Sequence, residues 1–387
     1  MAFMSPTQKI FETLHEIAQG PLQKNARYID ESSSWPEENI QVLKDSKLSG
    51  LLISKDLGGH GEGYLTMAKA CEILGSSCAS TSMCFGMHLV GSAVMSAKAT
   101  AFHQEKFLRP IAEGEHWTTL SLSEPGTGAH FYIPQTEMIQ EGDSLVINGE
   151  KSFVTNGAHA DSYVLSAVVP SESRTLGQFS CAIVPKNTKG LLWGKQWDGL
   201  GMRGNSSTSA KLKNVKVPVD HLLGNIGDQL WYVFEVIAPN FLVAMSGTYL
   251  GIAKAALKET TEHLKNRHYE HSGSSLASLQ VLQHRLGELW AQVERARQLL
   301  YFAAALGDKN DPAAPISIMS AKAEVGECVV SVVNECMTLR GGESYGNSDL
   351  MGRHLRDARA AHVMSPTTDI LRVWTGRSLL GLPILGD

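Results

Sequence analysis

Two phrases bring together residue types suited to holding a flat polar ligand. Leu120–Gly128 reads LSLSEPGTG and Lys151–Gly157 reads KSFVTNG. In the first, Gly126-Thr127-Gly128 bares backbone N–H groups able to close on a flat ligand or a phosphate, although a plain turn has the same composition. In the second, the ring of Phe153 stands two residues from the hydroxyl of Thr155. Gln140-Glu141-Gly142-Asp143 lies between the two, flanked by alternating apolar residues such as Leu145 and Ile147. That pattern predicts antiparallel strands joined by a tight turn. Further along, Arg267 precedes a Ser/Gly-rich loop and Gln280, and Thr338-Leu339-Arg340-Gly341-Gly342-Glu343 ends an apolar helix. Read from the residues alone, Arg267 is a surface cation at a helix C-terminus, and the paired glycines admit a close backbone approach.

These residues need scaffolding, and 387 residues suffice for two or three domains with a large core. Residues 1–118 read as helices, with Ile10, Leu14, Ile17 and Leu22 near helical spacing. Ser34 is the expected N-cap of a helix with Pro36 in its first turn. Met67–Leu74 and Thr81–Ser96 read as apolar helices, and His88 either packs in the core or faces a site. Residues 119–224 are richer in Val, Thr, Ser and Gly and predict a small antiparallel β-domain. Residues 225–387 predict an antiparallel four-helix bundle: Val236–His263, Leu276–Ala305, Ile316–Leu339 and Thr367–Leu380, with Gly341 as a helix stop.

Net charge is −5 and pI near 6.3, which argues against a nucleic-acid surface. The six cysteines, at 71, 78, 84, 181, 328 and 336, form no metal-type pairs and fit a reducing compartment. No membrane span or signal core is expected, so the cytoplasm is the expected location.

The two phrases resemble the flavin-contacting segments of the acyl-CoA dehydrogenase superfamily, a T-E-P-G-x-G-S loop and a K-x-W-I-T-N strand. Leu355-Arg356-Asp357-Ala358 is similar to that family's L-x-R-D-A, and Gly341-Gly342 to its Q-x-x-G-G turn, with Thr338 at the glutamine position. The resemblance covers nearly the whole chain and implies an α+β fold: helical domain, β-domain, four-helix bundle. It also implies FAD. Leu120, Leu122, Ser123, Gly128, Ala129, Phe153 and Thr155 would contact the flavin, with Phe153 where the family has tryptophan. Arg267, Gln280, Thr338, Gly341 and Gly342 would hold the pyrophosphate of a neighbouring subunit, hence a homodimer or homotetramer. Thr367 and Asp369 complete the implied cofactor contacts. An acyl-CoA or other acyl thioester, and an electron-transfer partner or reductase, are the implied partners.

The departures bear on the chemistry. The family's base is a glutamate in Y-E-G-T, and here the phrase is Met364-Ser365-Pro366-Thr367. Ser365 stands at the base position, but an unassisted hydroxyl is no general base near neutrality. Ser365 reads instead as an N-cap, with Pro366 opening the helix. Some members carry the glutamate on the first bundle helix, where this chain has Phe241. Asp369, His362 and Glu343 are the remaining candidates. Arg356-Asp357-Ala358-Arg359 with His362 also resembles the flavin monooxygenase branch of the fold. The reading is an FAD-dependent oxidoreductase that carries out α,β-dehydrogenation of an acyl thioester; the alternatives are a monooxygenase or N-hydroxylase on the same fold and an inactive flavin-binding subunit.

Overall fold

The computed structural model describes residues 5–128, 130–170, 179–227, 230–346 and 349–385. Five N-terminal helices come first: Pro6–Ile17, Gln23–Ser32, Glu37–Asp45, Tyr64–Gly75 and Ala79–Ala97. The last two are apolar on nearly every side and are buried almost throughout. The Glu37–Asp45 helix has Pro36, not Ser34, at its N-cap, and Ser34 makes no capping bond.

The β-domain is one mixed sheet of β1 (Thr118–Ser121), β2 (Glu137–Glu141), β3 (Ser144–Val154), β4 (Ser162–Val168), β5 (Phe179–Pro185), β6 (Leu191–Trp193), β7 (Thr208–Pro218) and β8 (Leu222–Leu223). The order is β6-β7-β3-β2-β4-β5-β8, with β1 beside β4. Pairing is antiparallel except that β1 and β2 run parallel to β4. Gly142-Asp143 forms the expected tight turn between β2 and β3. Alternation along β5 sorts its residues. Cys181 and Ile183 join the main helical core, while Ala182 and Val184 join a separate core within the sheet.

The bundle follows: Ala238–Asn266, Gln280–Asp308, Ala314–Arg340 and Thr368–Leu379, with the shorter Leu350–Ala358 before the last. A wider-turned stretch, Tyr232–Ile237, leads into the first. Small residues set how closely that helix approaches Tyr64–Gly75. A Cβ on Gly247 would meet Ala68 O at 2.4 Å, and one on Gly251 would meet Glu72 O at 2.4 Å. Tyr232–Asn266 is long and apolar enough to cross a membrane by length and composition, but 83% of its most apolar stretch is buried in the protein. Its apolar surface is used as core.

The last bundle helix also departs from expectation. It begins at Thr368 with Thr367 at the N-cap, so neither Ser365 nor Pro366 caps or opens it. The carbonyl of Pro366 instead accepts a hydrogen bond from Lys322, a partner distant in sequence.

Candidate active site

A cavity of about 760 Å³ opens where the three parts meet. On the sheet side it is lined by Leu120, Leu122, Ser123, Gly128, Phe153 and Thr155. The Ala79–Ala97 helix contributes Met83 and Met87, and the first bundle helix contributes Ala238 and Phe241. The far wall is the Val363–Pro366 segment, Ser365 included. Of the implied flavin contacts, Ala129 lies outside the described residues.

The sheet wall is built with care. The β3–β7 register slips between Lys151 and Val154, and Phe153 within the slip has a φ of 54°. An aromatic residue in the left-handed region costs about 1–3 kcal/mol and persists where its surroundings impose it. The result turns the ring outward, 65% exposed, edge-on to Trp197 at 6.1 Å. The Ser152 N–H donates to Ser123 O at 2.7 Å, locking the bulge to the first phrase. Thr155 and Ser207 share a hydroxyl bond of 3.0 Å at the wall.

Behind this wall lies a buried ion pair. Lys151 Nζ donates to Glu124 Oε1 and Ser166 O, each at 2.6 Å, and to Ser166 Oγ at 2.8 Å. Glu124 also accepts the N–H groups of Gln135 and Thr136, at 2.5 and 3.1 Å. Burial pushes the Lys151 ammonium pKa down, and the Glu124 charge opposes that shift. Glu124 touches the cavity but is fully committed to these donors.

The L-x-R-D-A phrase acts as a staple. Arg356 Nη1 donates to Asp30 Oδ1 and to Leu200 O, each at 2.9 Å. Asp357 accepts the Met202 N–H at 2.5 Å. Two adjacent residues of the bundle domain thereby hold the N-terminal domain and the sheet domain around the cavity.

The other candidates stand elsewhere. Asp369 is exposed in the first turn of its helix, where its charge complements the dipole, and does not line the cavity. Thr367 lies beside it, also outside the lining. His362 takes a 2.8 Å bond from Arg359 and sits 3.8 Å from Glu327. Glu343 is exposed, 3.9 Å from His263. Among the described lining residues, Glu124 is the only carboxylate. His88 packs in the core: the Thr118 N–H donates to Nδ1 and Nε2 donates to Ser49 O, each at 3.0 Å, while the ring stacks on Trp117.

Arg267, Gln280, Thr338, Gly341 and Gly342 are all exposed and do not line this cavity. Antiparallel succession of the three long helices puts them at one end of the bundle, and Arg340 reaching Glu259 O ties that end together. The cavity is at the other end. From Phe241 to Arg267 the helix runs 26 residues, about 40 Å at 1.5 Å per residue.

Acyl-CoA dehydrogenase family descriptions match in three consecutive parts: the N-terminal domain over residues 5–115, the middle domain over 119–215 and the C-terminal domain over 241–380. The chain belongs to the acyl-CoA dehydrogenase family. It is a flavoprotein oxidoreductase of CH–CH bonds that uses FAD. The probable acyl-CoA dehydrogenase YngJ of Bacillus subtilis is 28% identical, over 96% of this chain and 97% of its own. The butyryl-CoA dehydrogenase of Megasphaera elsdenii superposes with a TM-score of 0.92 at 26% identity, covering 98% of this chain and 100% of its own. A chain from a structure of the electron transferring flavoprotein of Acidaminococcus fermentans also gives 0.92 at 26%, covering 98% and 99%. The lining suits FAD's ring system: it is mostly apolar, with a few hydrogen-bonding groups such as Ser123, Thr155 and Ser207.

Proposed function

We propose that this cavity dehydrogenates an acyl-CoA between its α and β carbons without a protein carboxylate at the α-carbon. The observation that carries the second half is the lining itself: Phe241 and Ser365 stand at the two places where a base is expected, and Glu124 is engaged by Lys151. When bound, FAD supplies the acceptor for the hydride leaving the β-carbon. Leu122, Ser123 and Thr155 would hold the polar edge of its ring system, and Phe153 would cover one face. Met83, Met87 and Phe241 would line the acyl chain. No free carboxylate among the described lining residues stands ready to take the α-proton. General-base catalysis contributes roughly 10²–10⁴-fold, so simple thioesters are turned over slowly.

A second copy of the chain would complete the site. Arg267 and its neighbours lie about 40 Å from the cavity of their own chain, too far to serve the same cofactor. The exposed Val281, Trp290 and Phe302 on the Gln280–Asp308 helix are apolar side chains that neighbouring chains would cover. Electrons would leave to an electron-transferring flavoprotein, the subject of one of the similar structures. Anaerobic addition of short-, medium- and long-chain acyl-CoAs to the FAD-loaded protein tests this reading. Slow flavin bleaching supports it. Absent bleaching together with oxygen uptake under a supplied reductase would replace it with oxygen chemistry.

A further inference from the structure

Lys322 sits two turns into the Ala314–Arg340 helix, fully buried, with no carboxylate partner among the described residues. A buried ammonium is costly unless its protons are used. Here Nζ donates to Ala361 O at 2.9 Å and to Pro366 O at 3.0 Å. Those two carbonyls bracket Val363, Met364 and Ser365, which line the cavity. One turn further on, Gly326 leaves space for the same segment. A Cβ there would come within 3.3 Å of Thr368 Oγ1 and 3.6 Å of Ala361 O. From another helix, Tyr249 donates its hydroxyl proton to Met364 Sδ at 3.1 Å.

We propose that Lys322 is a positioning residue for the acyl site. By tethering both ends of residues 361–366 it holds Met364 and Ser365 against the bound thioester. Lys322 does not touch the ligand itself; it fixes the end of the short Ala360–Val363 helix and the link from it to the last bundle helix. The role of that segment rests on the function proposed above, whereas the tether does not.

The test uses the FAD-loaded protein, with Lys322→Met removing both donors and Gly326→Ala pressing on the same segment while leaving the lysine. Two readouts are taken: amide hydrogen exchange, and binding of short-, medium- and long-chain 2-enoyl-CoAs followed by flavin absorbance. The expected result is at least tenfold faster exchange confined to the segment around residues 361–367, with at least tenfold weaker enoyl-CoA binding in Lys322→Met. Gly326→Ala is expected to show the same changes in smaller degree. Unchanged local exchange overturns the tether. Faster exchange with unchanged binding overturns the positioning role. Should Lys322→Met not fold, Lys322→Gln, neutral and too short to span both carbonyls, decides by the same criteria. A wild-type protein that binds no enoyl-CoA would reject the proposed function, and the exchange measurement would still decide the tether.

Discussion

Phe241 and Ser365 line one cavity from two different elements, the first bundle helix and the segment before the last, and neither side chain can take a proton at neutral pH. Around them the wall is apolar or already hydrogen-bonded, so the site is equipped to hold a thioester beside FAD and poorly equipped to ionise it.

The Lys151–Glu124 pair is predicted to be essential to the flavin wall. Removing one partner of a buried pair strands the other charge and costs about 3–5 kcal/mol. Lys151→Met is therefore expected to unfold at lower denaturant and to lose FAD, with Lys151→Met/Glu124→Gln recovering part of the loss. Urea unfolding and FAD retention measure both effects, and a single variant as stable as wild type would contradict the role given to the pair.

Arg267 is predicted to matter for cofactor affinity although it stands far from its own cavity. A charge-assisted bond to phosphate is worth about 1.5–3 kcal/mol, or roughly ten- to a hundredfold in affinity. Arg267→Ala should weaken FAD binding by that factor in equilibrium dialysis. Unchanged affinity would count against completion of the site by a second copy. Asp369→Ala, by contrast, should leave flavin bleaching within about twofold of wild type, since its carboxylate is outside the lining.

Acid stability follows from His88. Burial pushes its pKa from 6.5 to about 3. Between those values the unfolded chain binds the proton and the folded chain does not, so stability falls as pH drops through that window. The slope from this group reaches about 1.4 kcal/mol per pH unit. His116, pushed down to about 4 mainly by burial, adds to it. Unfolding titrations across that range should show a shallower slope for His88→Gln. An identical slope would mean that His88 is not held neutral.

Much of this was legible in the chain, because local patterns decide it. The Gly142-Asp143 turn, the helix stop at Gly341 and the long apolar helices are set by nearby residues. What could not be read depends on partners remote in sequence. Pro366 looked like the opening of a helix, but its carbonyl is taken by Lys322. Arg356 and Asp357 were recognisable as a phrase, whereas their grip on Asp30, Leu200 and Met202 exists only in three dimensions. Glu124 gave no sign of being spent on a buried lysine. Ser365 is a poor base by the pKa of a hydroxyl alone, and its place in the wall required the fold.

The most direct test is to supply the missing group. In Ser365→Glu, anaerobic bleaching of bound flavin by a saturated acyl-CoA should accelerate by roughly 10²–10⁴-fold over wild type, with FAD content unchanged. A rate no faster than wild type, in a variant that still binds FAD and the acyl-CoA, would contradict the claim that this cavity is a dehydrogenase site lacking only its base.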